Sequence, residues 1–162
     1  MIKKIEYLVK EIADKFNIIS AAAVVMIMLV IVIDITIRLF KISLPGAYDI
    51  VSLLGTLVIA FSLTYTTVEQ GHIAVDLVYQ KLPAKIQPYI DIFNNMAGGV
   101  FFAILGWQSF ILAGSLKSAG EVSLTIKIPS YPFVAGIGLS CILLSIYLFL
   151  NLIKSVKRAC KI

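Results

Sequence analysis

Four apolar runs leave this chain few ways to fold. They cover residues 16–37 (FNIISAAAVVMIMLVIVIDITI), 50–68 (IVSLLGTLVIAFSLTYTTV), 90–113 (IDIFNNMAGGVFFAILGWQSFILA) and 131–153 (YPFVAGIGLSCILLSIYLFLNLI). A helix of about 20 mostly apolar residues crosses the hydrocarbon core of a bilayer. Inside that core the backbone must satisfy its own polar groups, and a helix does so internally. Each run therefore predicts a transmembrane helix. Composition agrees: 60% of the 162 residues are hydrophobic and 14% are charged, whereas soluble domains hold roughly 45–50% and about 25%. The expected class is an all-α integral membrane protein with one membrane domain over residues 1–162. The first run is too long for a signal-peptide core and no small-residue cleavage site follows it, so it is read as retained.

Ahead of the first run, Ile2, Ile5, Leu8, Val9, Ile12, Ala13 and Phe16 fall on one helical arc, and Lys3, Lys4, Glu6, Lys10, Glu11, Asp14 and Lys15 fill the rest. That pattern predicts an amphipathic interfacial helix over 2–16, lying at the lipid surface. Basic residues set the orientation. The N-terminal arm, the second loop (Lys81, Lys85) and the tail (Lys154, Lys157, Arg158, Lys161) hold ten of the 14 Lys and Arg; the first loop (Arg38, Lys41) and third loop (Lys117, Lys127) hold four. Both termini are expected in the cytoplasm. The formal charge of +5 flanks apolar runs and forms no basic patch of the nucleic-acid-binding kind.

Few residues have the makings of chemistry. Asp34 and Arg38 are four apart at the outer end of the first run, a spacing that predicts an ion pair fixing helix depth. Asp91, Asn94 and Asn95 sit in the third run, where hydrogen bonds to a neighbouring helix are expected. Gly98, Gly99, Ala103 and Gly106 put small residues on one side of that run, which admits close helix packing, as do Gly136, Gly138 and Ser140 in the fourth. Trp107 and Tyr131 suit the outer interface. Cys141 and Cys160 lie on one predicted helix, roughly 28 Å apart at 1.5 Å per residue, too far for a disulfide. The single histidine, His72, excludes a bis-histidine haem, and with Asp76 as its one close candidate ligand it is short of a zinc set. No catalytic residue, metal site or cofactor is expected. The stretch GHIAVDLVYQKLP reads as a short cytoplasmic interfacial helix over 71–82, opened by Gly71 and closed by Pro83, with His72 and Asp76 as a polar clasp. In the third loop, Val122, Leu124, Ile126 and Ile128 alternate with Ser123, Thr125 and Lys127, a period of two that predicts an extended segment with one apolar face.

Four spans, Arg38 after the first, Asp49 opening the second, then GHIAVDLVYQKLP, then the Ile-Pro pair ending at Pro129 before the fourth: this pattern resembles the small membrane subunit (DctQ-like) of tripartite ATP-independent periplasmic (TRAP) transporters. The matching positions are Arg38, Asp49, Gly71, His72, Asp76 and Pro129; members usually carry Glu where Asp49 stands. The resemblance implies a non-enzymatic scaffold subunit of a bacterial inner-membrane importer of organic acids, of the C4-dicarboxylate or sialic acid class. It implies two partners. One is a large elevator-type membrane subunit that carries the substrate and sodium sites. The other is a periplasmic binding protein, for whose docking Lys41, Lys117, Glu121 and Lys127 are the candidates. The competing reading is a self-contained four-helix proton-coupled exporter using a carboxylate such as Asp34.

Overall fold

The computed structural model describes residues 2–40, 44–69, 87–123 and 125–159. They form four helices: α1 (Ile2–Arg38), α2 (Ala47–Val68), α3 (Gln87–Ala119) and α4 (Tyr131–Ala159). All four are long and apolar enough to cross a membrane. The expected spans lie inside them, with α3 and α4 running past the apolar runs.

The largest departure from expectation is at the start. The predicted interfacial helix 2–16 is not a separate element; it is the first part of α1, an unbroken helix of 37 residues and roughly 55 Å at 1.5 Å per residue. The cause is covalent. No Gly or Pro occurs between Ile2 and Arg38, so the switch from charged to apolar sequence near Phe16 changes the surroundings and leaves the backbone alone. The arm is also held to the bundle. Val9 and Ala13 are buried with Val68 and Tyr147, and Tyr65 packs on them. Lys10 Nζ pairs with Glu69 at 2.7 Å, and Lys154 pairs with Glu6.

Helix ends follow local chemistry. α1 closes on three-residue bonds, Leu39 N–H to Thr36 O (3.2 Å) and Phe40 N–H to Ile37 O (2.9 Å). α3 ends in a Schellman arrangement: Gly120 takes φ 65°, its N–H donates to Lys117 O (3.3 Å), and the Glu121 N–H reaches Leu116 O (3.0 Å). Pro132 sits in the first turn of α4, where a missing N–H costs no helical bond.

The helices pack as two antiparallel hairpins, α1 with α2 and α3 with α4, joined mainly where α2 meets α4; α1 also touches α4. The start of α1 and the end of α4 lie at one end, called here the terminal end; the described parts of the first and third loops lie at the far end. Phe16 stacks on Phe61, ring centroids 4.3 Å apart, and this pair with Ala60 is covered by Leu57, Ile137 and Leu143. Side chains bond across helices to backbone carbonyls: Ser20 to Val58 (3.3 Å), Thr64 to Ser140 (3.3 Å), Ser145 to Gly99 (2.9 Å) and Tyr147 to Val68 (2.9 Å). Without a hydrophobic driving force between helices in lipid, such bonds and close packing hold the bundle.

The predicted small face of α3 meets α4. A Cβ on Gly98 would lie 3.1 Å from Leu148, one on Gly99 3.4 Å from Phe149, and one on Gly106 2.9 Å from Ile142 and 3.3 Å from the Gly138 carbonyl. Ala103 beside them is half-buried. Asn95 departs from expectation: its amide donates to the Asp91 carbonyl of its own helix at 2.8 Å, and Asn94 is exposed. A four-residue spacing lets a short amide reach back one turn, which satisfies it without a neighbour.

Candidate docking surface

The far end of the bundle is a rim knitted from both loops. It begins with Asp34, which is buried at 9% exposure on the last turns of α1. Its Oδ2 accepts from Arg38 Nε at 2.8 Å and its Oδ1 from the Leu44 N–H at 3.2 Å. The pair expected from the sequence is present. The structure adds that the same carboxylate ties the returning first loop to α1. Arg38 spends one donor on this and leaves most of its side chain in the open.

The chain then turns through Pro45 and Gly46 into α2. Gly46 has φ 87°, a left-handed conformation that suits a residue with no Cβ. No side chain caps this helix start. Asp49, in the first turn and one residue ahead of the apolar run, favours the positive helix end by its charge and reaches across to the third loop. Its Oδ2 accepts the Ser123 hydroxyl and the Thr125 N–H, the latter at 2.9 Å. Both donors suit a charged carboxylate acceptor. Ile126 meanwhile seats its side chain on Gly46: a Cβ at that glycine would fall 2.1 Å from Ile126 Cγ1. Asp49 thus joins the α1–α2 hairpin to the α3–α4 hairpin at the far end.

The third loop is not the extended segment that its alternating pattern predicts. It doubles back: Val122 and Pro129 form an antiparallel bridge, Ser123 N–H donates to Ile128 O at 2.8 Å, and Lys127 N–H returns to Ser123 O at 3.2 Å. Lys127 takes φ 58°. The loop's own hydrogen bonds and the Asp49 carboxylate outweigh a strand propensity that has no second strand to pair with. Pro129 is part of this closure.

The expected docking charges differ in their freedom. Lys117 Nζ stands 5.8 Å from the centroid of the Tyr131 ring, within cation–π range. Glu121 and Lys127 are exposed. Asp34 and Asp49 keep their charge while bonded, so Arg38, Lys117 and Lys127 stand against Asp34, Asp49 and Glu121; Lys117 and Lys127 are the rim cations that make no ion pair with a described residue. Lys41, Gly71, His72 and Asp76, with the expected 71–82 helix, lie outside the described residues. Sequence reasoning missed Gly46, Ser123, Thr125 and Ile126. The Pro-Gly turn before Asp49 was the available signal for the first of these; the others become visible once the loops are in contact. No group of three or more His, Cys, Asp or Glu that could hold a metal ion is present among the described residues.

A comparison with protein-family models decides the family: residues 27–158 match the DctQ component of tripartite ATP-independent periplasmic transporters. The chain belongs to the DctQ family. The match takes in the last third of α1, the rim, α2, α3 and all but the final residue of α4; the N-terminal part of α1 lies outside it. DctQ proteins are transporter components and not an enzyme family, which fits the resemblance carried by Arg38, Asp49 and Pro129. Searches of curated proteins and of solved structures gave no match.

Proposed function

We propose that this DctQ subunit is the non-catalytic brace of an inner-membrane TRAP importer. It holds a large elevator-type membrane subunit, where substrate and sodium are expected to bind, and presents its rim to a periplasmic binding protein that delivers an organic acid of the C4-dicarboxylate or sialic acid class. The observation that carries this reading is the rim. Two carboxylates are consumed in fixing both loops, and Lys117 and Lys127 are left outside any ion pair with a described residue, which suits a docking platform with no chemistry of its own. The orientation with both termini in the cytoplasm rests on the distribution of Lys and Arg. An apolar groove of about 300 Å³ between α2 and α3, floored by α4 and lined by Ile59, Leu63, Phe102 and Leu105, supports a bracing role beside another membrane protein. The exporter reading needs a carboxylate available for proton coupling in mid-membrane. Asp34 instead lies near a helix end with both oxygens bonded.

Rim charges govern encounter rate more than intrinsic affinity, and salt screens them over about 8–10 Å. The double variant Lys41→Glu, Lys127→Glu should slow uptake at limiting binding protein, more at low salt than at high, with the binding protein's own ligand affinity unchanged. Uptake equal to wild type at every salt concentration would reject the docking role. Failure of the wild-type chain to copurify with a larger membrane protein would reject the brace.

A further inference from the structure

The lower part of α1 keeps an apolar face that the bundle does not cover. Ile5, Leu8, Ile12 and Ile19 are all exposed, and at 100° per residue they share one arc beside the buried Val9, Ala13 and Phe16. Lys4 and Lys15, nearly in line on the helix, edge the outer side of that arc, and both are exposed. The arm cannot peel off to lie flat without losing the Val9 and Ala13 packing and both cross-helix ion pairs, Lys10 with Glu69 and Lys154 with Glu6. If α1 stood upright, Ile5 would lie roughly 20 Å beyond Ile18. The headgroup layer adds only about 5–7 Å to each side of the hydrocarbon core. Hydrating this stripe is unfavourable, and leaning α1 onto the leaflet removes the cost, within the range of tilts seen for membrane helices.

Charge indicates what the face meets there. Of the nearby acids, Glu6 is paired with Lys154 of α4, Glu69 with Lys10 of α1, and Glu11 with Lys15 on α1 itself; the exposed Asp14 lies on the opposite side of α1 from the stripe. Lys4 on α1, and Lys157 one turn beyond the Lys154–Glu6 contact on α4, make no ion pair with any described residue and are exposed. An aliphatic stripe edged by cations matches a surface that is apolar below and anionic above. We propose that this face of α1, with Lys4 and Lys157 as its unpaired cations, binds the headgroups of anionic phospholipids and sets the lean of the bundle in the membrane. The inference rests on the chain's own surface and does not require the transporter partners.

The test uses the full chain in nanodiscs of phosphatidylcholine alone or of phosphatidylcholine mixed with phosphatidylglycerol, with the thermal unfolding midpoint as readout. The anionic lipid should raise the midpoint by about 2–4 °C for each lysine engaged. High salt should erase the rise, and Lys4→Gln with Lys157→Gln should remove most of it. Comparing each protein between the two lipids keeps the result independent of any change in the variant's own stability. Equal midpoints in both lipids, or a rise that the double variant retains, would overturn the proposal. So would a rise reproduced by inorganic phosphate in phosphatidylcholine discs, because the site would then read free phosphate and no lipid surface.

Discussion

Gly46→Ala isolates the joint between the two loops, and its cost divides into two separable parts. The first is conformational: at φ 87° an L-residue is left-handed, which costs about 1–2 kcal/mol. The second is steric. The added methyl would lie 2.1 Å from Ile126 Cγ1 and 2.3 Å from Cδ1, far inside the roughly 3.5–4.0 Å of a normal carbon contact. Ile126 is itself partly exposed and can swing outward, so this part falls toward the low end of the about 1–3 kcal/mol typical of overpacking. The sum is about 2–4 kcal/mol. Ile126→Ala deletes the steric part and leaves the conformational one, so Gly46→Ala in that background should cost about 1–2 kcal/mol. The assay is SDS titration in mixed micelles, followed by far-UV circular dichroism and by the fluorescence of the single tryptophan, Trp107. A double-mutant cycle should then show a coupling of about 1–2 kcal/mol between the positions. An identical cost in both backgrounds would mean that Ile126 does not rest on Gly46, and the account of the rim would fail.

Two further outcomes follow from the packing and the charge pattern. Gly106→Val should destabilise the α3–α4 hairpin by about 1–3 kcal/mol through overpacking, because a Cβ there would lie 2.9 Å from Ile142 before the two further methyls are placed; Gly55→Ala and Gly114→Ala, where nothing lies within 4 Å, should be neutral or stabilising by up to about 1 kcal/mol, all read by the same titration. In a background with Cys141 and Cys160 changed to serine, Ser118→Cys should react with an impermeant thiol reagent from the periplasm and Lys157→Cys should not; the reverse pattern would invert the orientation and remove the rim from the binding protein's side.

The spans, the small face of α3 and the Asp34–Arg38 pair were legible in the sequence because each rests on a fixed period along one helix. The spacing of Gly98, Gly99 and Gly106 identifies a packing face whatever the partner, and α4 proved to be that partner. What could not be read depends on loop closure. Nothing in the order of residues 122–128 says that the Asp49 carboxylate, 74 positions before its Ser123 partner, will hold them in a turn, so local alternation gave the wrong conformation. The packing of the arm on the bundle was out of reach for a related reason. Its amphipathic pattern is real, but Glu69 and Lys154 are remote in sequence, and they decide whether the polar face meets water or other helices. Tyr147 likewise reads as an ordinary apolar-run residue until its hydroxyl finds the end of α2.

The continuity of α1 fixes the phase between the two ends of the protein. One rigid screw presents Asp34 to Leu44 at the far end and Glu6 to Lys154 at the other. At 3.6 residues per turn, one extra residue anywhere between would rotate one end by about 100° relative to the other, so only one anchorage could keep its alignment. Four extra residues would nearly restore the angle but would separate the ends by about 6 Å. Side chains on the uncovered faces of this helix can therefore vary, while a change in its length would have to be matched in the helices that grip it at both ends.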